Sequence, residues 1–335
     1  MRVSSFSIYN QVSNSLDQDM STITQLENQL SSGKKYSKNS DDVTAVVSAM
    51  DYNLDLNNDS RYLSNIDSAN AVLGDASTAM SSTLDALNNA KEMALEGANG
   101  TANSQDMAAL AQQVYQIRDE LLGYANTKTA DGSSVFAGYQ TQTDAFNNST
   151  YAYQGDSGIV NAEISNSALL PVNVTGSDAF SFTLSSPVTV TQADGSSFNY
   201  TQGSGTTINV QIKDSSNNVV DSFSFSNFMQ LTNLLGDALN SGDTQRISAL
   251  MTPLDDAINQ ATSVSADIGT RQDRLTNQQS SIEQDQSSTQ VLLSGVQDDD
   301  LAQTTTQLAK YQAALQALEQ STANISSQTL LDFLK

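Results

Sequence analysis

The chain has 335 residues, a formal net charge of −23, three Pro, and no Cys, His or Trp. Without His and Cys it lacks the commonest general base, the usual zinc ligands and any disulfide. It also has no phosphate-binding Gly loop, hydrolase elbow or kinase motif, and we predict no enzyme, no cofactor and no metal. The acidity, with only 14 scattered Lys and Arg, disfavours nucleic acid as a partner. No apolar run approaches the ~20 residues of a membrane span, so we expect no membrane partner.

The first 32 residues predict one long helix, which Gly33 ends in a left-handed conformation. Its charges are few: Arg2, Asp17, Asp19 and Glu27. Apolar residues recur there every three or four positions, with an interruption at Asp19, and this spacing gives one apolar stripe along the helix. The stripe consists of Tyr9, Val12, Leu16, Ile23, Leu26 and Leu30.

A polar connector leads to a second helix that starts near Asp42, and the carboxylate of Asp42 or Asp41 suits its N-cap. Residues 97–100 end this helix, and Ser104 is the predicted cap of a third. Both helices carry an apolar seam with spacings of three and four. The second helix has Ile66, Ala69, Leu73, Ala76, Met80, Thr83, Leu87, Ala90 and Ala94, and the third has Met107, Leu110, Val114, Ile117, Leu121 and Tyr124.

Residues from about 130 to 225 change to an alternating pattern, which predicts strands. The alternating sets are Phe180 and Phe182, then Ile208, Val210 and Ile212, then Phe223 and Phe225. Turn-forming clusters at 193–197, 203–205 and 214–218 separate them. The last cluster faintly resembles a calcium-binding loop, but the Gly and the final Glu of an EF-hand are missing. We therefore interpret it as a turn.

Helical spacing returns with Phe228, Leu231, Leu235 and Ala238. Thr252-Pro253-Leu254-Asp255 predicts a helix start, with a hydroxyl cap and Pro at the first helical position. The seam that follows contains Leu254, Ala257, Ala261, Val264, Ile268, Leu275, Ile282, Leu292 and Val296. Three consecutive acids, 298–300, do not face one another on a helix, and we interpret them as a joint before a last helix.

The predicted fold is therefore mainly α: a long antiparallel helical bundle or coiled coil built from both chain ends, with an inserted β-rich outer domain. The expected divisions are an inner assembly helix with its connector (1–42), the two halves of the helical core (43–129 and 228–297), the outer domain (130–227) and a C-terminal inner assembly helix (298–335).

The two terminal helices are predicted to be an assembly interface. They carry few charges in an acidic chain, so copies repel one another least there, and two apolar helices that pair alone leave an exposed stripe, which normally marks an interaction surface. The predicted interface is Tyr9, Val12, Leu16, Ile23, Leu26, Leu30, Leu301, Leu308, Tyr311, Leu315, Leu318, Ile325, Leu330, Leu331, Phe333 and Leu334.

Several segments resemble the bacterial flagellin family, over residues 1–146 and 228–335. They are 30–35 (Leu-Ser-Ser-Gly-Lys-Lys) followed by 39–42 (Asn-Ser-Asp-Asp), 135–141 (Val-Phe-Ala-Gly-Tyr-Gln-Thr) ending in Phe146, 266–275, 312–315 and 330–334. The 135–141 segment is closer to the family's hook–filament junction members than to flagellin itself. The junction members usually have Pro after the Asp-Asp pair, whereas this chain has Val43. Flagellin itself therefore stays an alternative within the family.

The resemblance implies a structural subunit of the bacterial flagellum, an adaptor at the hook–filament junction on which flagellin assembles. Its partners would be copies of itself in a ring, a hook-associated protein on the hook side, flagellin on the filament side and an export chaperone. It would be extracellular after type III export, and residues 1–6 lack the apolar stretch of a cleaved signal peptide. The alternatives are a minor flagellin, a cytoplasmic coiled-coil scaffold or, more remotely, a glycan-acting enzyme, which would need converging carboxylates.

Overall fold

The structure, a computed structural model, describes residues 2–36, 40, 42–99, 102–182, 184 and 186–333. For residues 2–6, 8–9 and 324–333 only the helical backbone is described. Two compact units are present, one made of 1–60 with 282–335 and the other of 61–281. No helix in the described part is long and apolar enough to cross a bilayer.

The predicted fold class is confirmed: long helices come from both chain ends, and a β region lies between them in the sequence. The helices are α1 (Arg2–Ser32), α2 (Val43–Ala98), α3 (Ser104–Ala125), α4 (Gly176–Phe180), α5 (Phe228–Ser241), α6 (Thr244–Gln297) and α7 (Leu301–Phe333). The strands are β1 (Asn161–Ser165), β2 (Ala168–Pro171), β3 (Val188–Thr191), β4 (Ser197–Gln202), β5 (Ile208–Lys213) and β6 (Val219–Phe225).

Three of the four helix boundaries predicted for α1, α2 and α3 are correct, including the end of α2 at Ala98. Gly33 has φ +67° and donates its N–H to the carbonyl of Gln29, which ends α1 as a left-handed cap. The carboxylate of Asp42 accepts the N–H of Ala45 at 3.0 Å and caps α2. Ser104 is not the cap of α3: Asn103 is, because its side chain accepts from the backbone of Asp106 while Asp106 reaches back to Asn103, a capping box.

The apolar seams of α2 and α3 form the core of the 61–281 unit. Every residue of the predicted α2 seam, from Ile66 to Ala94, is buried, and so are all the α3 seam residues except Tyr124. α3 packs against α5, whose predicted seam is also buried. At their crossing, Gly236 brings the α5 backbone so close to Tyr115 that an added Cβ would lie 2.4 Å from the ring. The small residue therefore sets the spacing of the two helices.

The β region forms two antiparallel sheets, a hairpin of β1 and β2 and a four-stranded meander in the order β3-β4-β5-β6. The predicted turn clusters connect the meander strands, and the alternation of Ile208, Val210 and Ile212 places all three on its buried face. The strand prediction for Phe180 and Phe182 is wrong. Phe180 ends the short helix α4, Phe182 follows it outside any strand, and both rings are buried in an aromatic cluster with Phe228. Their alternation therefore reflects shared burial.

The predicted helix start at Thr252 is also wrong, because α6 begins at Thr244 and runs through Pro253. A proline has no N–H for the carbonyl four residues earlier, here that of Ala249. The hydroxyl of Tyr200 on β4 donates to that carbonyl at 2.7 Å and replaces the missing donor. This bond also fixes the meander to α6.

The predicted α6 seam is wrong at one position, where it contains Leu292 instead of Leu293. Leu292 is 52% exposed, whereas Leu293 is 6% exposed and buried. The inward positions continue from Ile282 through Gln286 and Thr289 to Leu293, which keeps the four-and-three spacing across two polar residues. Because polar side chains occupy those two positions, the apolar pattern alone did not show the register.

Candidate assembly interface

The terminal helices α1 and α7 pack on each other within the unit made of 1–60 and 282–335. The end of α1 is fixed to the start of α7 by backbone hydrogen bonds, from Lys35 N–H to the Gln297 carbonyl (2.8 Å) and from Asp299 N–H to the Gly33 carbonyl (2.9 Å). The two helices therefore run antiparallel from this point.

The three acids 298–300 form the joint between α6 and α7, as the sequence predicted. α6 ends at Gln297, and Lys34 and Asp298 pair as an antiparallel bridge. The carboxylate of Asp300 accepts the N–H groups of Ala302 and Gln303 at 3.1 Å, so it caps α7. These acids thus terminate and start helices.

Most described residues of the predicted interface are only partly buried by the α1–α7 contact. Leu26 is buried, at 6% exposed, whereas Leu30 and Leu301 are exposed. The remaining members are half-buried: Val12, Leu16, Ile23, Leu308, Tyr311, Leu315 and Leu318. A stripe that is half-covered within one chain leaves apolar area for a further partner. The side chains of Tyr9, Ile325, Leu330, Leu331 and Phe333, and the whole of Leu334, lie outside the described residues.

Two features of this unit were missed in the sequence. Thr304 is buried on α7, at the position that the four-and-three spacing reaches when it is extended back from Tyr311 and Leu308. The N-terminal turns of α2 also carry an exposed apolar stripe, which we call the α2 stripe: Val43, Val47, Met50 and Leu54. Its spacing of four, three and four was the available signal.

The charges of this unit are arranged so that apolar contact dominates the α1–α7 pairing. No ion pair joins α1 to α7 among the residues described.

Elsewhere in the unit, Asp59 on α2 lies near Asp285 on α6 and Asp55 on its own helix. Partial burial, and then the charges of Asp285 and Asp55, raise the pKa of the Asp59 carboxyl above its ordinary value.

Two acids of the β region, Asp194 and Asp214, form turns. The carboxylate of Asp214 accepts from the backbone of Asn218 and Ser216, and these bonds, with the Asn218 side chain, lower its pKa. That geometry closes a tight turn. In the part of the chain that the structure describes, no three acidic side chains converge as metal ligands would.

Comparison with known proteins gives matches at both ends of the chain. The bacterial flagellin N-terminal helical region matches residues 3–141, and the bacterial flagellin C-terminal helical region matches residues 251–334. Flagellar hook-associated protein 3 of Salmonella typhimurium is 28% identical over 196 residues, which are 58% of this chain. The chain spans 61% of the length of that relative.

Two solved structures from Legionella pneumophila have the same fold. Flagellar hook associated protein-3 superposes with a TM-score of 0.56 at 20% identity, over 73% of this chain and 98% of that one. The flagellar junction protein superposes with a TM-score of 0.53 at 19% identity, over 76% of this chain and 100% of that one. At these identities the likeness establishes the fold.

Proposed function

Since the chain belongs to the bacterial flagellin family, we propose that it is a structural subunit of the flagellum, an adaptor at the hook–filament junction on which flagellin assembles. The observation that carries this proposal is the apolar seam of α1 and α7, the predicted interface residues that are only partly buried within one chain. A two-helix contact that leaves most of its apolar residues partly exposed suits a chain that completes its packing against neighbouring subunits. The similarity to flagellar hook-associated protein 3 supports the junction in particular.

The partners follow from that position. They are copies of the chain in a ring, a hook-associated protein on the hook side, flagellin on the filament side and a chaperone before export. The protein would be extracellular, in the flagellum. We propose no enzymatic role for it; Asp194 and Asp214 of the β region are engaged in closing turns.

We also propose the division of labour predicted from the sequence. Residues 1–42 and 298–335 would be the inner assembly helices, 43–129 and 228–297 the helical core, and 130–227 the outward-facing domain. The polar turns of the meander, such as those at Asp194 and Asp214, support a solvent-facing role for that domain.

The test of the junction role is location on intact flagella. A labelled antibody against this chain should give one spot at the base of each filament. Labelling along the whole filament would instead establish the alternative, a minor flagellin. Retention in the cytoplasm with no label on flagella would support a coiled-coil scaffold and contradict both.

A substitution in the half-covered seam tests the interface itself. Leu315→Asp should block incorporation into flagella while the 61–281 unit keeps its melting transition, because an unpaired carboxylate in an apolar contact costs several kcal/mol. The matched control is Ala314→Asp, at an exposed neighbouring position on α7. If both variants assembled like the unsubstituted chain, the seam would not be an assembly surface.

A further inference from the structure

The α2 stripe forms a second apolar face on a helix that already buries another. At 100° per residue, Val43, Val47, Met50 and Leu54 fall within about 60° of one another. The inward-facing residues Ala49, Tyr52 and Leu56 lie on the opposite side of the same helix. The stripe residues are strongly exposed, Met50 at 64%. A continuous stripe of four large apolar side chains, about 16 Å long, indicates an interaction surface.

The charges beside the stripe restrict what can cover it. Asp51 and Asp55 are exposed next to Met50 and Leu54. If two α2 stripes met face to face, these four carboxylates would be brought together, and like charges at an interface weigh against that pairing. The partner surface must therefore be apolar, free of acids at this edge, and preferably basic there.

The outer face of α7 has those properties. Ala302, Thr306, Ala309, Ala313 and Ala317 recur with spacings of four and three, and all are exposed. The hydroxyl of Thr306 donates to the carbonyl of Ala302 at 2.8 Å, so burying it leaves no unpaired donor. We call this set the α7 alanine face.

The two surfaces complement each other in size and charge. Small residues let a neighbouring helix approach closely, so the large side chains of the α2 stripe can pack into the α7 alanine face. Lys310 lies beside that face, about 60° from its centre, and Asp51 lies about 70° from the centre of the α2 stripe. Both surfaces are exposed in the same chain, so neither covers the other there, and a contact between them must join two copies.

We infer that the α2 stripe of one copy docks on the α7 alanine face of the next copy. This inference rests on the proposed function, since it names the contact between copies in the ring. The contact joins two different surfaces, so each subunit offers one to each neighbour. Such a contact repeats into a ring or a helix and does not stop at a dimer.

Because the chain contains no Cys, single cysteines report this contact directly. The full chain carrying both Met50→Cys and Ala309→Cys is expressed in a strain that lacks its own junction protein. Isolated flagella are treated with a short bis-maleimide and run on a denaturing gel. We expect a ladder of covalent oligomers, with most of the chain in bands above the monomer.

The controls separate this contact from others. Chains with Met50→Cys alone, or with Ala309→Cys alone, should stay monomeric, and so should a chain that pairs Ala309→Cys with Val291→Cys, an exposed α6 position at 69%. A Met50→Cys dimer would show that the stripes meet face to face and would overturn the inference. Lys310→Glu should lower the yield of the ladder several-fold, and Asp51→Lys in the same chain should restore it.

The outcomes also distinguish this inference from the proposed function. If the doubly substituted chain supports filaments but gives no ladder, the docking assignment is wrong and the junction role stands. If it gives only an internally linked monomer, the two surfaces meet within one chain and the assignment is again wrong. If the unsubstituted chain is not found on the flagella of any strain tested, the proposed function fails, and the inference fails with it.

Discussion

At the scale of single residues, the hydroxyl of Tyr200 compensates for a proline inside a helix. Pro253 cannot donate to the carbonyl of Ala249, a fully buried residue, and Tyr200 supplies the donor at 2.7 Å. Burial is the main cause that raises the pKa of Tyr200 to about 12, so the phenol keeps its proton at any ordinary pH. The sequence showed the proline, but its donor comes from about fifty residues away and only the fold brings it there.

We predict that Tyr200→Phe destabilises the 61–281 unit by about 1–3 kcal/mol, because it leaves the buried Ala249 carbonyl without a donor. Pro253→Ala returns the backbone N–H to that carbonyl. The double substitution Tyr200→Phe/Pro253→Ala should therefore recover most of the loss, measured by urea unfolding of all four chains. Strictly additive effects would mean that the two residues do not share this carbonyl.

A second residue-scale prediction concerns Asp59, whose pKa is raised by partial burial and by Asp285 and Asp55. Its folded-state pKa lies above the unfolded value, so the folded chain binds this proton more tightly, and ionisation of Asp59 destabilises the fold at neutral pH. Asp59→Asn should raise the melting temperature at pH 7. The gain should fade as the pH falls through the raised pKa, and it should be absent below the ordinary value of 3.8.

Asp51→Asn is the matched control, because it removes one charge from an exposed position of the same helix. Melting curves from pH 3 to pH 8 compare the two variants. An equal gain from both would show that Asp59→Asn acts only through the net charge of −23.

At the scale of elements, periodicity predicted the helices well wherever one face is both apolar and buried. The α2 seam from Ile66 to Ala94 is the clearest case, because a spacing of three and four is a direct consequence of 3.6 residues per turn. The prediction failed where tertiary contacts override local pattern. Phe180 and Phe182 alternate like strand residues but are buried around Phe228.

The candidate interface was predicted less completely than the fold. The described seam residues of α1 and α7 are mostly partly buried, as their periodicity indicates, and their role in assembly stays a prediction. The α2 stripe was not predicted, because its four residues belong to a helix with another buried face. The sequence alone does not show which residues of such a helix are exposed. Which of two apolar faces a helix buries depends on the partner that the rest of the chain provides.

The contact of α3 with α5 gives an element-scale prediction. Gly236→Ala should destabilise the protein by about 1–3 kcal/mol, although Ala favours helices more than Gly does, because the new methyl group would lie 2.4 Å from the Tyr115 ring. The displaced ring would also weaken the 2.7 Å hydrogen bond from the Tyr115 hydroxyl to Asp237.

Gly269→Ala on α6 is the matched control, because nothing lies within 4 Å of its added Cβ. It should stabilise the protein by up to about 1 kcal/mol through helix propensity alone. Thermal unfolding of the two variants should give shifts of opposite sign. Stabilisation by both would show that Tyr115 moves aside without cost.

At the scale of the whole molecule, buried apolar side chains are distributed very unequally between the two compact units. Among the described residues, the unit of 1–60 and 282–335 buries only Leu26, Ala49, Ile282 and Leu293. The 61–281 unit contains the buried α2, α3 and α5 seams, the aromatic cluster and the inner face of the meander. Since helices in proteins owe most of their stability to packing, the terminal helices have little to stabilise them within one chain.

The last prediction follows from that imbalance. In the free monomer, backbone amides of α1 and α7 should exchange with deuterium close to the rate of an unfolded chain, while those of α2 beyond residue 61, α3 and α5 should be protected by the global unfolding free energy. Hydrogen exchange with mass spectrometry, on material proven monomeric by light scattering, measures both regions in one sample. The same amides in isolated flagella should become protected, because in the proposed assembly neighbouring copies would cover the seam and the α2 stripe. Strong protection of α1 and α7 in the monomer would mean that their pairing is a complete core, and the terminal helices would then have no packing left to gain from assembly.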